Sequence, residues 1–471
     1  MSTERAIGAT QAAVQKLLDV NVVGQILRAE GGIRWPDGRE PGNIRIERAW
    51  PTHGKSFVVE WSFDLGSGPR YALFGTPTAD ANSNQAGTTN HPTVAADGIR
   101  GVLVHLPRWG VRIHSPDQDP DLPQLARCLD ERAMADRLEP FWNNGHQRHD
   151  NDGREIECRL LSYRSARRAT LSLRRLNAIQ PEGNLIGKTF RDGRGESLLV
   201  LHDQLDRQLA SSTKGRVRVP SPVGYLTDLR MALFGWARGE EGGDGWGWLC
   251  DRAVLAADAL AALHGESIEG LDDFSREDEC AVILRWHEAL GRVDDHLFET
   301  TQPLLDALLR GAESMGMEDA CTVHRDFYER QLIYDGKTIT ILDLDTLAHG
   351  EPSIDVGNLL AHLFLGALRA GRPVRDYPPA ARLVLDRYAA QRGPVDRPTL
   401  AFYLASALFR LGAVHVLRTT TSAHAPALWR LADELLVESG GEASGHTNAG
   451  GKSGKRDDVP MAKWILEGLA T

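Results

Sequence analysis

Residues 321–363 constrain the fold of this 471-residue chain more than any other part of it. The segments QLIY and TITILDLD flank Asp335-Gly336, a turn signal that predicts a short β-hairpin. Such a hairpin brings the preceding loop, which carries Asp326, beside Asp343 at the exit of the second strand. We therefore expect the oxygen-bearing side chains of Asp326, Gln331 and Asp343 to converge at one site.

The residue types in this loop fit the transfer of a phosphoryl group. HRDFYERQ matches the kinase catalytic-loop pattern H-R-D-x-x-x-x-N, with Gln331 where Asn is usual. That reaction requires an aligned hydroxyl, neutralised phosphate charge and positioned magnesium. Asp326 would accept the proton of the hydroxyl, Asp343 would hold Mg²⁺, and Gln331 would add a neutral carbonyl oxygen. His324 and Arg325 are expected to fix the loop.

Two further acids follow Asp343 along the chain. Asp345 is a candidate auxiliary ligand for the metal. Asp355 precedes the helical segment VGNLLAHL, and we expect it to cap that helix rather than to contact a substrate.

The order of the predicted elements indicates an α+β protein with two lobes. ECRLLSY, ATLSLRRL and LIGKTF predict three strands, GESLLVLHDQLDRQLA an amphipathic helix, and RVRVPSPVGYLT and LRMALFGW two more strands. After Gly239 the spacing of apolar residues is mainly helical. Three strands, a helix and two strands, followed by helices, is the order of a protein-kinase-like bilobal fold.

We divide the chain into five parts. Residues 1–150 form an additional α+β unit, cap-like and without a catalytic motif, residues 151–236 the small lobe, and residues 237–437 the helical large lobe. Residues 438–458 are rich in Gly and Ser and are expected to form a flexible linker, and residues 459–471 a short final helix.

The motifs of the large lobe resemble those of the aminoglycoside phosphotransferase and choline kinase superfamily. The matching elements, in order, are His324, Asp326, Gln331, Asp343, Gly350-Glu351-Pro352 and Asp355. The resemblance is strong over about thirty residues, extends plausibly from residue 155 to about 435, and leaves residues 1–150 unexplained. It implies a kinase-like fold, ATP or GTP as the phosphate donor, Mg²⁺, and the hydroxyl of a small molecule as the acceptor.

Lys188 is the candidate for the phosphate-binding lysine of the small lobe. It is the only lysine between Lys55 and Lys214 and lies within the apolar strand LIGKTF, where an unpaired ammonium group would be costly. The resemblance implies that it contacts the α- and β-phosphates and is held by an acid of the next helix. Glu196 and Asp203 are both candidates for that acid, and Glu196 is preferred for its reach. The alternative is that Lys188 extends to solvent from an edge strand.

Two other segments are predicted to contact the nucleotide. The turn RSARR, residues 164–168, occupies the place of the phosphate-covering loop and has no glycine, so an arginine there, Arg167, could bind phosphate bidentately. The crossover between the lobes would offer backbone groups to the base at Phe234, Gly235, Trp236 and Ala237.

Composition excludes several other classes of protein. The formal net charge is −10 and no basic stripe is present, which disfavours nucleic-acid binding. We expect neither a membrane-spanning segment nor an exported protein, because the first residues lack a hydrophobic signal region, so a cytoplasmic location is expected. The five cysteines form no CxxC pair and are expected to be reduced.

The acceptor is left open by the sequence. Residues 151–220 hold 14 Lys/Arg and 8 Asp/Glu, whereas residues 240–299 hold 4 Lys/Arg and 16 Asp/Glu. The acidic stretch would suit a cationic aminoglycoside or amino alcohol, but a neutral sugar is equally compatible. A kinase-like protein that binds a nucleotide or a partner without turnover is the alternative to an enzyme, because Gln331 and the glycine-free turn depart from the usual pattern.

Overall fold

The computed structural model describes residues 12–30, 33–35, 38–51, 57–66, 69–77, 89–95, 98–106, 109–142, 155–176, 183–242, 246–418 and 422–439. The predicted linker and final helix lie outside these residues, apart from the end of the last described helix. The described residues form an N-terminal sheet, a small lobe and a helical large lobe.

The N-terminal part contains a six-stranded antiparallel sheet in the order β1-β2-β3-β6-β5-β4. Its strands are β1 Gly42–Pro51, β2 Phe57–Asp64, β3 Tyr71–Pro77, β4 Thr89–Ala95, β5 Gly98–Leu106 and β6 Val111–His114. Residues 12–17 are helical. The helices that follow are α1 Val20–Gln25, which continues as a π-helical turn over Ile26–Glu30, α2 Leu125–Cys128 and α3 Glu131–Trp142. Strands β2 and β3 are consecutive and antiparallel, with Trp61 opposite Leu73.

This sheet is buried on both faces, as the nearly continuous apolar run of β2 requires. One face packs, through Trp61 among others, with residues of the large lobe that include Ala289 and Leu417. The other face packs, through Phe74 among others, with residues of the small lobe such as Leu233. The N-terminal sheet therefore contacts both lobes.

The small lobe is a five-stranded sheet in the order β11-β12-β9-β8-β7 with one helix against it. Its elements are β7 Ile156–Arg164, β8 Arg168–Arg175, β9 Leu185–Phe190, α4 Gly195–Ser212, β10 Val217–Arg218, β11 Pro222–Leu226 and β12 Met231–Gly235. These elements confirm the predicted order of three strands, a helix and two strands. The short strand β10 differs, because it pairs in parallel with β17, Ile339–Ile341, of the large lobe.

The large lobe is mainly helical, as the sequence predicts. Its helices are α5 Trp246–Gly265, α6 Arg276–Val293, α7 Asp295–Ser314, α8 Ser353–Arg369, α9 Tyr377–Arg392, α10 Arg397–Val416 and α11 Ala425–Ser439. Its short strands, besides β17, are β13 Glu240–Glu241, β14 Asp273–Phe274, β15 Cys321–Val323, β16 Leu332–Tyr334 and β18 Ala348–Gly350.

Helix α10 is long and apolar enough to cross a membrane by length and composition, the only such helix among the described residues. However, 83% of its most apolar window is buried within the protein. It packs against α8 and α11, as a central helix of a helical core does.

Candidate active site

The loop that carries Asp326 is held to the neighbouring hairpin by His324. The buried imidazole donates from Nε2 to the carbonyl oxygen of Leu342, 2.7 Å away, and its Nδ1 lies 3.3 Å from the backbone N–H of Asp326. Because the carbonyl can only accept, the ring carries its proton on Nε2 and accepts at Nδ1. The expected role of His324 in fixing the loop agrees with these contacts.

Asp355 stabilises the same loop instead of capping a helix. It lies in the first turn of α8, whose N-cap residue is Pro352. Its buried carboxylate accepts from the backbone N–H groups of His324 and Arg325, both at 2.6 Å, and lies 3.1 Å from Nε2 of His264. The prediction of a simple cap was wrong, because the carboxylate satisfies donors of the loop rather than those of its own helix.

Gln331 and Asp343 come together through the predicted hairpin, β16–β17. The N–H of Leu342 donates to the backbone carbonyl of Gln331 at 2.8 Å, so the residue before Asp343 contacts Gln331 directly. The side-chain amide of Gln331 makes no hydrogen bond with the described part of the chain. Asp343 adopts φ +55°, a left-handed conformation that costs free energy for a non-glycine residue and recurs at functional sites.

Four charged side chains from the two lobes meet at this point. Nζ of Lys188 lies 2.7 Å from Oδ1 of Asp343 and 2.9 Å from Oδ1 of Asp345. The guanidinium of Arg168 lies 3.0 Å from Oδ2 of Asp343 and also forms an ion pair with Asp345. Two cations of the small lobe thus balance two carboxylates of the large lobe. The alternative of a solvent-extended Lys188 is disfavoured, because its side chain is only 12% exposed.

Lys188, Arg168, Asp343 and Asp345 form a charged quartet, in which burial and neighbouring charges have opposite effects on the pKa values. Burial alone would raise the pKa of Asp343, but the charges of Lys188 and Arg168 outweigh it and hold that pKa well below its ordinary value. Burial lowers the pKa of Lys188, against the charge of Asp343. The carboxylate of Asp343 is therefore ionised throughout the physiological range.

Neither predicted acid of the next helix holds Lys188. The buried face of α4 carries Leu198, His202, Leu205 and Leu209, which recur at helical spacing. Glu196 is exposed, and Asp203 pairs with Arg207 on the opposite, solvent face. The acids that hold Lys188 come instead from the large lobe.

His202 is a buried histidine on the inner face of α4. Its Nδ1 donates to the carbonyl oxygen of Pro220 at 3.0 Å, and its ring packs against Phe234 with centroids 4.4 Å apart. Burial, assisted by the charge of Lys188, lowers its pKa from 6.5 to about 4. His202 is therefore neutral in the folded protein at neutral pH.

The neutral state of His202 gives the stability of the protein a pH dependence. Below pH 6.5 the unfolded chain takes up a proton here before the folded one, so stability is full above that pH and falls as the pH approaches 4. Between pH 7 and pH 5 this residue should cost about 2 kcal/mol of unfolding free energy. Urea denaturation of the wild type and His202→Phe at both pH values measures it. Equal losses in the two proteins would contradict the assignment.

The arginine that the turn between β7 and β8 contributes to the quartet is Arg168, not the predicted Arg167. Arg168 lies on β8 two residues before Thr170, which pairs with Lys188, so alternation puts Arg168 on the same face of the sheet as Lys188. Arg167 is exposed and forms no ion pair among the described residues. The alternation of side chains along β8 identifies Arg168 only once the register of β8 with β9 is known.

A residue of the N-terminal part stabilises this glycine-free turn. Ala166 adopts φ +59°, a conformation that glycine usually supplies. Its N–H donates to Asp119 at 2.8 Å, and the hydroxyl of Tyr163 donates to the same carboxylate at 2.5 Å. Asp119 therefore compensates for the missing glycine, a role that no sequence motif indicates.

Only part of the segment predicted to bind the nucleotide base has backbone groups available for hydrogen bonds. Phe234 is buried, and the N–H of Gly235 donates to the carbonyl oxygen of Ser221 at 2.9 Å. The backbone groups of Trp236 and Ala237 make no hydrogen bond with the residues that the structure describes. They remain the candidates for hydrogen bonds to a nucleotide base.

This two-lobed fold, with a catalytic-type loop facing a lysine-bearing strand, defines a kinase-like phosphotransferase. A model of the phosphotransferase enzyme family matches residues 174–403 of the chain. The match confirms the resemblance that the motifs between His324 and Asp355 carry. It leaves the N-terminal sheet outside the matched residues.

Solved structures of related kinases align with the chain at low identity. The choline kinase of Cryptosporidium parvum is 12% identical, with 72% of this chain and 100% of that chain covered and a TM-score of 0.48. A spectinomycin phosphotransferase in complex with ADP and spectinomycin is 11% identical, with 61% and 93% covered and a TM-score of 0.43. An aminoglycoside-3'-phosphotransferase of type VIII is 20% identical, with 59% and 99% covered and a TM-score of 0.40. No curated protein matches the chain significantly.

Proposed function

We propose that this protein transfers the γ-phosphoryl group of ATP or GTP, with Mg²⁺, to a hydroxyl group of a small molecule. The observation that carries the proposal is the charged quartet. Lys188 and Arg168 of the small lobe meet Asp343 and Asp345 of the large lobe within reach of the loop of Asp326. Cations that can neutralise phosphates, and acids that can hold a metal, are thus already assembled across the cleft.

Asp326 is the proposed catalytic base. Its carboxylate makes no hydrogen bond with the described residues, whereas the backbone around it is held by His324 and Asp355. A fixed loop with an unoccupied carboxylate is suited to accept a hydroxyl proton as the oxygen attacks phosphorus. The proton moves from the acceptor hydroxyl to Asp326, and the nucleoside diphosphate leaves.

The side chains of Asp343, Gln331 and Asp345 fit a magnesium ion. Magnesium prefers oxygen ligands and typically takes one or two carboxylates together with substrate phosphates and water. The amide of Gln331 has no hydrogen-bond partner among the described residues, so its oxygen is available to a cation. When bound, Mg²⁺ would neutralise charge on the phosphates.

Binding of the nucleotide would exchange the partners within the quartet. Lys188 and Arg168 would turn from the carboxylates to the phosphates, while Asp343 and Asp345 would turn to the metal. Each charge keeps an opposite charge beside it, so the exchange avoids leaving a buried ion unpaired. Trp236 and Ala237 would offer backbone groups to the base.

The location that we propose for the reaction is the cytoplasm, because ATP and GTP are intracellular. We propose a small molecule as the partner, and neither a nucleic acid nor a membrane.

Calorimetric titration with Mg-ATP and Mg-GTP tests the proposal. It also shows which of the two neighbouring arginines of the turn binds the nucleotide. Arg168→Met should raise the Kd of the nucleotide at least about tenfold, because a charge-assisted contact to phosphate is lost. Arg167→Met is the matched control and should bind within about twofold of the wild type.

Failure of the wild type to bind either nucleotide would refute the kinase assignment. Equal weakening by both substitutions would contradict the placement of Arg168 and restore the sequence-based choice of Arg167. Tight binding with no turnover on any hydroxyl compound would favour the non-catalytic alternative.

A further inference from the structure

A cleft of about 310 Å³ lies between the N-terminal sheet and the small lobe. Strands β1, β2, β3 and β5 contribute one wall, and residues 160–163 of β7 contribute the other. Nη2 of Arg48 donates to the carbonyl oxygen of Tyr163, 3.1 Å away, and so joins the two walls. The volume is at the lower end of the range for small-molecule sites, so a ligand of this cleft would be small.

The cleft is distinct from the candidate active site. Neither Asp326 nor any member of the charged quartet lines it. All the residues that do line it precede residue 174, where the match to the phosphotransferase family begins. A ligand bound here would therefore be additional to the nucleotide and its acceptor.

A β-bulge shapes the wall that β7 contributes. Leu160 pairs with Leu171 and Ser162 pairs with Thr170, so Leu161 is an extra residue without a partner on β8. Bulges redirect a side chain and are common beside functional sites. The side chain of Leu161 is 50% exposed and lines the cleft. The bulge therefore gives the cleft an apolar surface that a ligand can contact.

The opposite side of the cleft is also apolar in part. The rings of Phe74 and Tyr163 both line it and pack edge to face, with centroids 4.6 Å apart. The hydroxyl of Tyr163 donates to Asp119, so the phenol has its partner within the protein. The two rings and Leu161 together offer carbon surface to the apolar part of a ligand.

Positive charge exceeds negative charge among the side chains that line the cleft. Both of its acids already accept hydrogen bonds from the protein. Glu60 pairs with Arg48, and the two carboxylate oxygens of Asp117 lie 3.2 and 3.0 Å from the backbone N–H of Gly101. The charged residues that line the cleft are Arg48, Arg70, Arg100, Glu60 and Asp117.

Arg70 carries a charge that no carboxylate of the described residues neutralises. Its Nε donates to the hydroxyl oxygen of Ser62 at 2.9 Å, and its Nη2 donates to the carbonyl oxygen of Asn43 at 2.7 Å. The hydroxyl of Ser62 in turn donates to Glu47, which does not line the cleft. Both acceptors of Arg70 are neutral, so its guanidinium is held in place and can still form charge-assisted hydrogen bonds with an anion.

We propose that this cleft binds a small organic anion, with its carboxylate or phosphate group at Arg70 and its apolar part against Leu161 and the rings of Phe74 and Tyr163. The inference does not depend on the proposed function, because the cleft shares no residue with the candidate active site. It gives the N-terminal sheet a role in ligand binding, since Arg70 and Phe74 come from that sheet and the loop before β3.

Calorimetric titration of the full chain with phenyl phosphate and, separately, with benzoate tests the site and distinguishes the two kinds of anionic group. We expect at least one of these probes to bind with a stoichiometry of one. Arg70→Met should raise its Kd at least about tenfold, because the charge-assisted contact is lost. Arg45→Met is the matched control, since Arg45 is exposed on β1 and does not line the cleft, and it should change the Kd less than about twofold.

A second variant blocks the cleft and keeps its charges. Ser162 is exposed and lines the cleft, so Ser162→Trp should fill the space and abolish binding of the probe. Arg159→Trp places the same bulk at an exposed position of β7 outside the cleft and should bind the probe as the wild type does. Circular dichroism checks that each variant is folded.

Failure of the wild type to bind either probe would overturn the inference. So would a Kd that Arg70→Met leaves unchanged, or displacement of the probe by Mg²⁺ with a non-hydrolysable ATP analogue, which would assign the binding to the active site. The proposed function is tested separately by titration with Mg-nucleotide. Its failure would leave the cleft as a ligand site, and loss of the cleft site would leave the kinase assignment intact.

Discussion

Replacement of Asp326 by Asn should lower kcat on the order of 10³-fold while leaving the Kd of the Mg-nucleotide within about twofold of the wild type. The substitution keeps the shape of the side chain but removes the group that accepts the hydroxyl proton. The nucleotide contacts proposed for Lys188, Arg168 and Asp343 are untouched. Steady-state release of the nucleoside diphosphate gives kcat, and calorimetry gives the Kd.

Asp335→Asn is a matched control for this substitution, because Asp335 lies in the turn of the same hairpin and binds only backbone N–H groups of Lys337 and Thr338. It should retain most of the activity. If Asp326→Asn kept more than about a tenth of the wild-type kcat, general-base catalysis by Asp326 would be excluded.

Replacement of Asp355 by Ala should destabilise the protein by about 3 to 5 kcal/mol, the usual cost of removing one partner from a buried charged network. The side chain is fully buried and serves the backbone N–H groups of His324 and Arg325 and the ring of His264. Without it these donors are left unpaired in the core. Urea denaturation followed by circular dichroism measures the loss.

Asp386→Ala is the matched control, since Asp386 is 61% exposed and pairs with Arg382 one turn away on α9. It should change the unfolding free energy by less than about 1 kcal/mol. A loss of under about 1 kcal/mol for Asp355→Ala would show that the catalytic-type loop does not depend on this carboxylate.

The parts of the site that the sequence predicts are those set by short connections or by a strong energetic penalty. The tight turn at Asp335-Gly336 brings Gln331 to Leu342, and hence beside Asp343, without any knowledge of tertiary packing. Lys188 could be identified because a lysine inside an apolar strand needs an opposite charge.

The sequence contains the information that excludes Glu196 but not the information that selects Arg168. Arg168 shares the face of Lys188 because Thr170 pairs with Lys188, and that strand register is known only from the structure. Glu196 lies opposite the apolar stripe of α4 and so cannot be buried against the sheet. For this acid, helical periodicity is a better guide than the family pattern.

The contribution of the N-terminal sheet could not be predicted. The contacts between Arg48 and Tyr163 and between Asp119 and Ala166 join residues 115 and 47 positions apart, and each is a single hydrogen bond without a motif. The bond between Ala49 and Leu417 spans most of the chain. Such contacts depend on how separately folded parts pack, which local propensity does not encode.

The most direct test of phosphoryl transfer follows label from γ-³²P-ATP and γ-³²P-GTP into a panel of sugars, amino alcohols and aminoglycosides. The protein is supplied with Mg²⁺, as the wild type and as Asp326→Asn. We predict that the wild type labels an acceptor and that Asp326→Asn does not. Binding of Mg-nucleotide without transfer of label to any compound would contradict the assignment as an enzyme.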